Sequence, residues 1–143
     1  MQVRVWQEKD LPVIAEMEKR CFSDPWTEKM ITDSFKIPIY HGFVAEEGGH
    51  VCGYTIVTVL FEDAEVMNVA VDIPFRGRGI SKLLMNEMHK VARNLGAVQS
   101  FLEVRVSNVT AIGLYKSYGY ETYGVRAKYY EDGEDAFVMK KDL

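Results

Sequence analysis

The chain has 143 residues, a length that suits one domain around one core, and its 48% hydrophobic content is ordinary for a soluble globular protein. A formal net charge of -4 counts against nucleic acid as a direct partner, since nucleic-acid-binding domains are usually basic; positive charge gathers only around Arg76, Arg78 and Lys82, which suits a small anionic ligand. Cys21 and Cys52 form no C-x-x-C pattern and His41, His50 and His89 have no metal-ligand spacing, which argues against a zinc site, a redox pair or a disulfide scaffold. Residues 1–6 lack the apolar core of a signal peptide, and the longest near-apolar run, 54–61, is too short to span a bilayer, so the expectation is a cytoplasmic chain with reduced cysteines and no membrane partner.

Val3 and Val5 alternate with Arg4 and predict a short first strand. Asp10 is placed to cap a helix that tolerates Pro12 in its first turn, carries Val13, Ile14, Met17 and Cys21 on one face, and ends near Phe22 before the Ser23-Asp24-Pro25 break. Thr27 caps a second helix, with Trp26 positioned to staple onto Ile31, and this helix stops before Pro38. Residues 40–46 and 51–61 read as strands joined at Glu47-Gly48-Gly49-His50, and 64–71 follows a tight turn at Glu62-Asp63. The next helix carries the stripe Ile80, Leu83, Leu84, Met88, Val91, Ala92 and Leu95 and ends at Gly96. A strand at 98–106 then completes a strand–helix–strand unit, which implies a parallel pair with a right-handed crossover. Ser107 or Asn108 caps a short helix with Ala111, Leu114, Tyr115 and Tyr118 in line, closed by Gly119, and 120–125 with 135–140 form a last antiparallel pair. The expected fold class is α/β: a mixed, mostly antiparallel sheet with a central parallel strand pair and helices on both faces.

Between the strand at 64–71 and the helix from Ile80 stands Asp72-Ile73-Pro74-Phe75-Arg76-Gly77-Arg78-Gly79. Strand, glycine loop and helix N-terminus in succession present unpaired N–H groups and the positive end of a helix dipole, and glycine lets the backbone approach a phosphate. The dinucleotide pattern G-x-G-x-x-G fails because Lys82 stands where its third glycine belongs, and a Walker loop fails on spacing. An ordinary glycine turn is the plain alternative.

Glu103 lies mid-strand among Phe101, Leu102, Val104 and Val106, where an unpaired charge is costly. Either it pairs with Arg105, two residues on and on the same face, or it serves as a general base, acting through a water on an amine that is mostly protonated at neutral pH. Tyr115 follows Ala111 on an apolar stripe, which makes it a core residue by periodicity; the chemical reading of its hydroxyl is a general acid. Asn108 is first of all a helix cap, a role that does not exclude a ligand contact.

The glycine loop resembles the pyrophosphate loop of the GNAT acetyltransferases, Gln/Arg-x-x-Gly-x-Gly/Ala, with Arg76, Gly79 and Ser81 at the defined positions and Ser81 replacing the usual Gly or Ala. Leu102-Glu103-Val104-Arg105-Val106-Ser107-Asn108, with Ala111-Ile112-Gly113-Leu114-Tyr115 and Tyr118-Gly119-Tyr120, is similar to the RimI-type ribosomal-protein-alanine N-acetyltransferases. Phe22-Ser23-Asp24-Pro25-Trp26-Thr27, Asn68-Val69-Ala70-Val71, Lys128-Tyr129-Tyr130 and Glu134-Asp135-Ala136 resemble further segments of that family, in the same order. The resemblance implies a single GNAT domain over residues 1–143, acetyl-CoA as co-substrate and no metal. It implies Glu103 as proton acceptor and Tyr115 as proton donor. Acetyl-CoA would then be held by Val69, Ala70 and Val71, by Arg76, Gly77, Arg78, Gly79, Ile80, Ser81 and Lys82, and by the Asn108 side chain. The implied acceptor is a protein N-terminus, the alanine of a small-subunit ribosomal protein; a monomer or weak dimer is expected, since nothing in the chain marks a dimer surface. Ala127, before the tyrosine pair, departs from the family pattern on the acceptor side. Two other functions stay open: the same chemistry on a lysine side chain or small amine, and an acyl-CoA sensor without turnover.

Overall fold

Alternating and continuous apolar runs gather into one seven-stranded sheet in the order β1-β2-β3-β4-β5-β7-β6, in a computed structural model that describes residues 1–143. The strands are β1 (Gln2–Val5), β2 (Tyr40–Glu47), β3 (His50–Leu60), β4 (Asp63–Val71), β5 (Gln99–Arg105), β6 (Glu121–Arg126) and β7 (Ala136–Asp142); the helices are α1 (Leu11–Cys21), α2 (Glu28–Phe35), α3 (Ile80–Asn94) and α4 (Val109–Ser117). Every pairing is antiparallel except β4 with β5, as the strand–helix–strand unit requires. No helix is long and apolar enough to cross a membrane.

Helices cover both faces of the sheet. On one, α1 and α2 bury Leu11, Ile14, Met17 and Ile31 against Val44, Tyr54, Ile56 and Ala70. On the other, α3 buries Ile80, Leu84, Met85 and Met88 against Phe43, Val57, Val66, Leu102 and Val104. β3 is buried from Val51 to Val59 because it is covered on both sides, so it reads as a continuous apolar run. Two side chains of the expected α3 stripe, Leu83 and Leu95, are in fact exposed, and Met85 and His89 take the buried positions. The stripe is rotated toward the sheet by one residue.

Thr27 caps α2 by accepting from the Met30 N–H at 3.2 Å, and Asn108 caps α4 by accepting from Ala111 at 3.1 Å. Asp10 does not cap α1. Its carboxylate turns back to accept from the Gln7 N–H at 2.7 Å and to pair with Arg4 at 2.8 Å, because a buried carboxylate is better satisfied by a guanidinium than by a single amide.

The feature that sets up everything downstream is where β4 and β5 part. They pair only from Asp63↔Gln99 to Val66↔Leu102. Beyond that point β4 stays with β3 as far as Val71, and β5 stays with β7 as far as Arg105. A bulge causes the parting: Val57 opposes Val66 while Ile56 opposes Asn68, so Met67 has no partner on β3 and the strand bends. The result is a slot through the sheet between Met67–Val71 on one side and Glu103–Arg105 on the other.

The end of the sheet away from the slot is tied by packing. Gly42 on β2 lies under the Trp6 ring, and a Cβ there would fall 2.1 Å from a ring carbon. Trp6 in turn meets Phe35 edge-on at 5.2 Å. Gly42→Ala must displace the indole, and we expect a loss of about 1–3 kcal/mol, seen as a lower midpoint in urea unfolding with an unchanged slope.

Candidate active site

Alternation along β5 places the catalytic candidates on opposite sides of the slot. Leu102 and Val104 join the α3-side core, so Glu103 between them faces the α1–α2 side. Tyr115, on α4, packs against the α3-side core. A group entering the slot from one face therefore meets a carboxyl on one side and a phenol on the other.

The Glu103 side chain is 13% exposed and its Oε1 lies 3.3 Å from Nε of Arg126. Burial, and then the Glu65 carboxylate on β4, raise its proton affinity above the ordinary glutamate value; Arg126 opposes them. The pairing of Glu103 with Arg105, one of the two alternatives for this carboxyl, is not formed. Arg105 reaches instead to Asp24 at 3.2 Å, Asp132 at 2.8 Å and Glu134 at 2.9 Å, with its guanidinium 4.0 Å over the Tyr130 ring. Arg126 was not visible as the partner in sequence because the pairing crosses two strand registers, Glu103↔Val138 and Val138↔Gly124.

Tyr115 meets Tyr120 edge-on at 6.1 Å, and its hydroxyl has no hydrogen-bond partner within the chain. Burial, helped by Tyr118, pushes its proton affinity up to about 12, so it keeps its proton through the neutral range. Glu103 keeps a raised proton affinity beside the exposed Arg126, and Tyr115 keeps its proton, which leaves one side of the slot able to take a proton and the other able to give one.

The edge of β4 supplies donors. The Asp72 N–H bonds the Cys52 carbonyl at 2.8 Å, so alternation turns the Val69 and Val71 amides away from β3 and toward the gap, while the Ala70 amide faces β3. The Ala70 amide, expected among the ligand-binding backbone groups, is the one of the three that faces β3. Asn68, the first residue past the bulge, carries the one buried side-chain nitrogen in the chain with no partner. In the sequence Asn68 is an ordinary strand residue; its orphaned donor is visible only once the bulge is known.

After the slot the chain enters the glycine loop. None of the N–H groups of Gly77, Arg78, Gly79, Ile80, Ser81 and Lys82 finds an acceptor in the chain, and Gly79 caps α3 with no side-chain bond. Gly77 and Gly79 have φ of 81° and 76°, and a Cβ on either would meet nothing. Glycine is needed here for its backbone angle rather than for room. The arrangement is a run of converging donors at the positive end of a 15-residue helix, which fits a pyrophosphate. Most of the loop's side chains are engaged within the chain. Arg76 folds back to donate to the Val71 carbonyl at 3.0 Å, and Arg78 pairs with Glu47 at 3.3 Å. Ser81 bonds the Tyr118 hydroxyl at 2.9 Å, Lys82 is exposed and unpaired, and the Asn108 side-chain nitrogen is left free by its capping oxygen.

Two loops wall the α1–α2 side. The segment after α1 is pinned by Glu18, a buried carboxyl that accepts from the Trp26 N–H at 2.9 Å and from the Tyr54 hydroxyl. Arg105 ties Asp24 of that segment to the β6–β7 loop. Next to Glu65 the face opens into a cavity of about 850 Å³ lined by Tyr40, Thr58, Glu62, Asp63 and Met67 among others. No cluster of histidine, cysteine and carboxylate side chains with the makings of a metal site is present.

This geometry is that of a known family. Residues 11–120 match the model of the Acetyltransferase (GNAT) family. The chain is 32% identical over 133 residues to the [ribosomal protein bS18]-alanine N-acetyltransferase of Escherichia coli K12, covering 91% of this chain and 89% of that protein. It is 36% identical over 135 residues to the N-alpha-acetyltransferase RimI of Mycobacterium tuberculosis, covering 90% and 84%. The crystal structure of the ribosomal-protein-S18-alanine N-acetyltransferase from Escherichia coli superposes with a TM-score of 0.91 at 30% identity, over 99% of this chain and 93% of that one. The chain belongs to the GNAT family and is an acetyl-CoA-dependent N-acetyltransferase.

Proposed function

We propose that residues 1–143 act as one N-acetyltransferase domain whose acceptor is a protein N-terminal α-amine, the alanine of a small-subunit ribosomal protein. The observation that carries this reading is the slot, with a base candidate facing one side of the sheet and an acid candidate facing the other. The names of the E. coli and M. tuberculosis relatives support the acceptor class. Acetyl-CoA supplies the activated acetyl thioester. The amides of residues 77–82 hold its pyrophosphate, and those of Val69 and Val71 face the charge that develops on the thioester oxygen, an effect of about 3 kcal/mol per donor in comparable sites. Glu103 accepts a proton from the attacking amine, and Tyr115 gives one to the departing thiolate. The amine nitrogen–carbon bond forms as the carbon–sulfur bond breaks, and no group of the protein is acylated. The acidic lining at Glu62, Asp63 and Glu65 favours a cationic acceptor segment over an acidic one.

Coenzyme A release with two peptides tests the acceptor. A peptide with a free N-terminal alanine and no lysine should turn over; one with a blocked N-terminus and an internal lysine should not. The reverse result would move the acceptor to a lysine side chain, and acetyl-CoA binding with neither turned over would favour a sensor.

Glu103→Gln should lower kcat by about 10²- to 10⁴-fold while leaving acetyl-CoA affinity in place, measured by steady-state kinetics and calorimetry. An unchanged kcat removes Glu103 from the chemistry. Arg126→Gln has a signed consequence. Arg126 holds the Glu103 proton affinity down, so its removal raises it, and the base is deprotonated only at higher pH. The acid limb of the kcat/KM profile should therefore move to higher pH, with the plateau rate kept.

A further inference from the structure

Asn68 carries the one buried side-chain nitrogen of the chain without a partner, and the reaction described above gives it no part. Along β4 it lies between Val66, the last residue to pair with β5, and Ala70, whose side chain packs in the α1–α2 core. Alternation after the bulge puts Asn68 on the face of Ala70, so its carboxamide stands on the α1–α2 side. Glu103 faces that side as well. It is the first residue past Leu102 on β5, as Asn68 is the second past Val66 on β4, so the two flank the mouth of the slot from facing strands.

The carboxamide is held at one end. Beside it on α1 stands Glu18, a buried residue whose carboxyl accepts from the Trp26 N–H at 2.9 Å and from the Tyr54 hydroxyl. Burial raises the Glu18 proton affinity, and Tyr54, Trp26 and lastly Asn68 act against the rise as donors. The Asn68 nitrogen is thus turned toward Glu18, yet closes no bond with it. A flip of the amide would set its oxygen against a carboxyl that already accepts from two donors, so charge fixes the orientation. The other end is free. The side-chain oxygen of Asn68 meets no donor of the chain and, unlike the nitrogen, is not buried. An amide anchored by its nitrogen and open at its oxygen is an acceptor waiting for a donor.

We propose that the Asn68 side-chain oxygen accepts an N–H of the attacking α-amine, and that Glu18 acts through Asn68 as the positioning residue that keeps this oxygen outward. The proposal rests on the α-amine reading above. A neutral primary amine has two N–H groups and one lone pair. Glu103 takes the proton of one N–H. An acceptor on the facing strand holds the other, and with both N–H groups engaged the lone pair is aimed into the slot, at the thioester carbon. A carboxamide suits this place better than a second carboxylate. It accepts without titrating, and it does not trap the incoming ammonium in an ion pair that competes with the base.

The test uses two bisubstrate analogues in which an acetyl unit joins the coenzyme A sulfur to the acceptor. In one it is bonded to the nitrogen of an N-terminal alanine peptide; in the other, to the oxygen of the same peptide with lactate in place of the alanine. The pair differs only in N–H against O. Wild type should bind the N–H compound tighter by about tenfold or more in calorimetry, since the ester oxygen brings no proton to the Asn68 oxygen. In Asn68→Ala that preference should fall to near parity with acetyl-CoA affinity unchanged, which also shows that the variant is folded; kcat/KM for the alanine peptide should drop by a similar factor. Asn68→Ser, too short to reach the amine, gives the same reading should the alanine variant not fold. Equal binding of the two analogues by wild type, or a preference kept in the Asn68 variants, would overturn the contact and leave the acetyl-transfer reading intact. Failure of both analogues to displace acetyl-CoA would overturn the contact and the α-amine reading together. Glu18→Gln, which removes the charge that turns the Asn68 nitrogen inward, should shrink the preference with Asn68 still in place; a full preference there would overturn the part given to Glu18.

Discussion

The loss of β4–β5 pairing after Val66↔Leu102 is the constraint on which the rest of the site depends. A continuous sheet would leave no gap for a thioester, no free amides on β4, and no passage between its faces. The parting is expensive in principle, since strand edges carry unpaired N–H and C=O groups. Here the bulge at Met67 re-aims β4 while its other edge stays bonded to β3, so only the donors on the slot side go unmet. The opening is thereby confined to the stretch of β4 from Met67 to Val71 that has left β5.

The same logic governs the loop that follows. Gly77 and Gly79 sit at positive φ in open space, so the glycines serve backbone direction, and the converging amides of residues 77–82 are the consequence. Ser81 stands where the family pattern has a smaller residue, and its hydroxyl finds Tyr118 at 2.9 Å. Arg76 and Arg78 are turned away from the loop amides: they brace the strand end and Glu47.

Much of this could be read in the chain itself. Element order, the parallel pair, the caps at Thr27 and Asn108 and the anion loop all follow from local signals: apolar period, Gly and Pro placement, and side chains that bond their own backbone. What was not legible depends on pairing between distant segments. Asp10 looks like a cap because the sequence does not display Arg4 beside it in space. Met67 looks like any strand residue because a bulge is a property of two strands. Glu103 and Arg105 look like partners because alternation puts them on one face, yet sharing a face does not decide which charge each one meets.

That last distinction determines the chemistry. Arg105 and Glu103 are neighbours on β5, and a bond between them would hold the carboxylate as an anion and weaken it as a base. Arg105 is instead shared among Asp24, Asp132 and Glu134 and covered by the Tyr130 ring, in a network that joins the loop after α1 to the β6–β7 loop. Glu103 is left with Arg126, whose side chain is 56% exposed and so screened by water, while Glu65 repels from the other side. Arg105 joins the two loops on the α1–α2 side, and Arg126 is the cation beside the base candidate. Because both allocations draw on the same strand, moving a carboxylate in either loop changes more than groove shape. An Asp132 or Glu134 withdrawn from Arg105 frees a guanidinium two residues from Glu103, and the competition for the proton shifts with it.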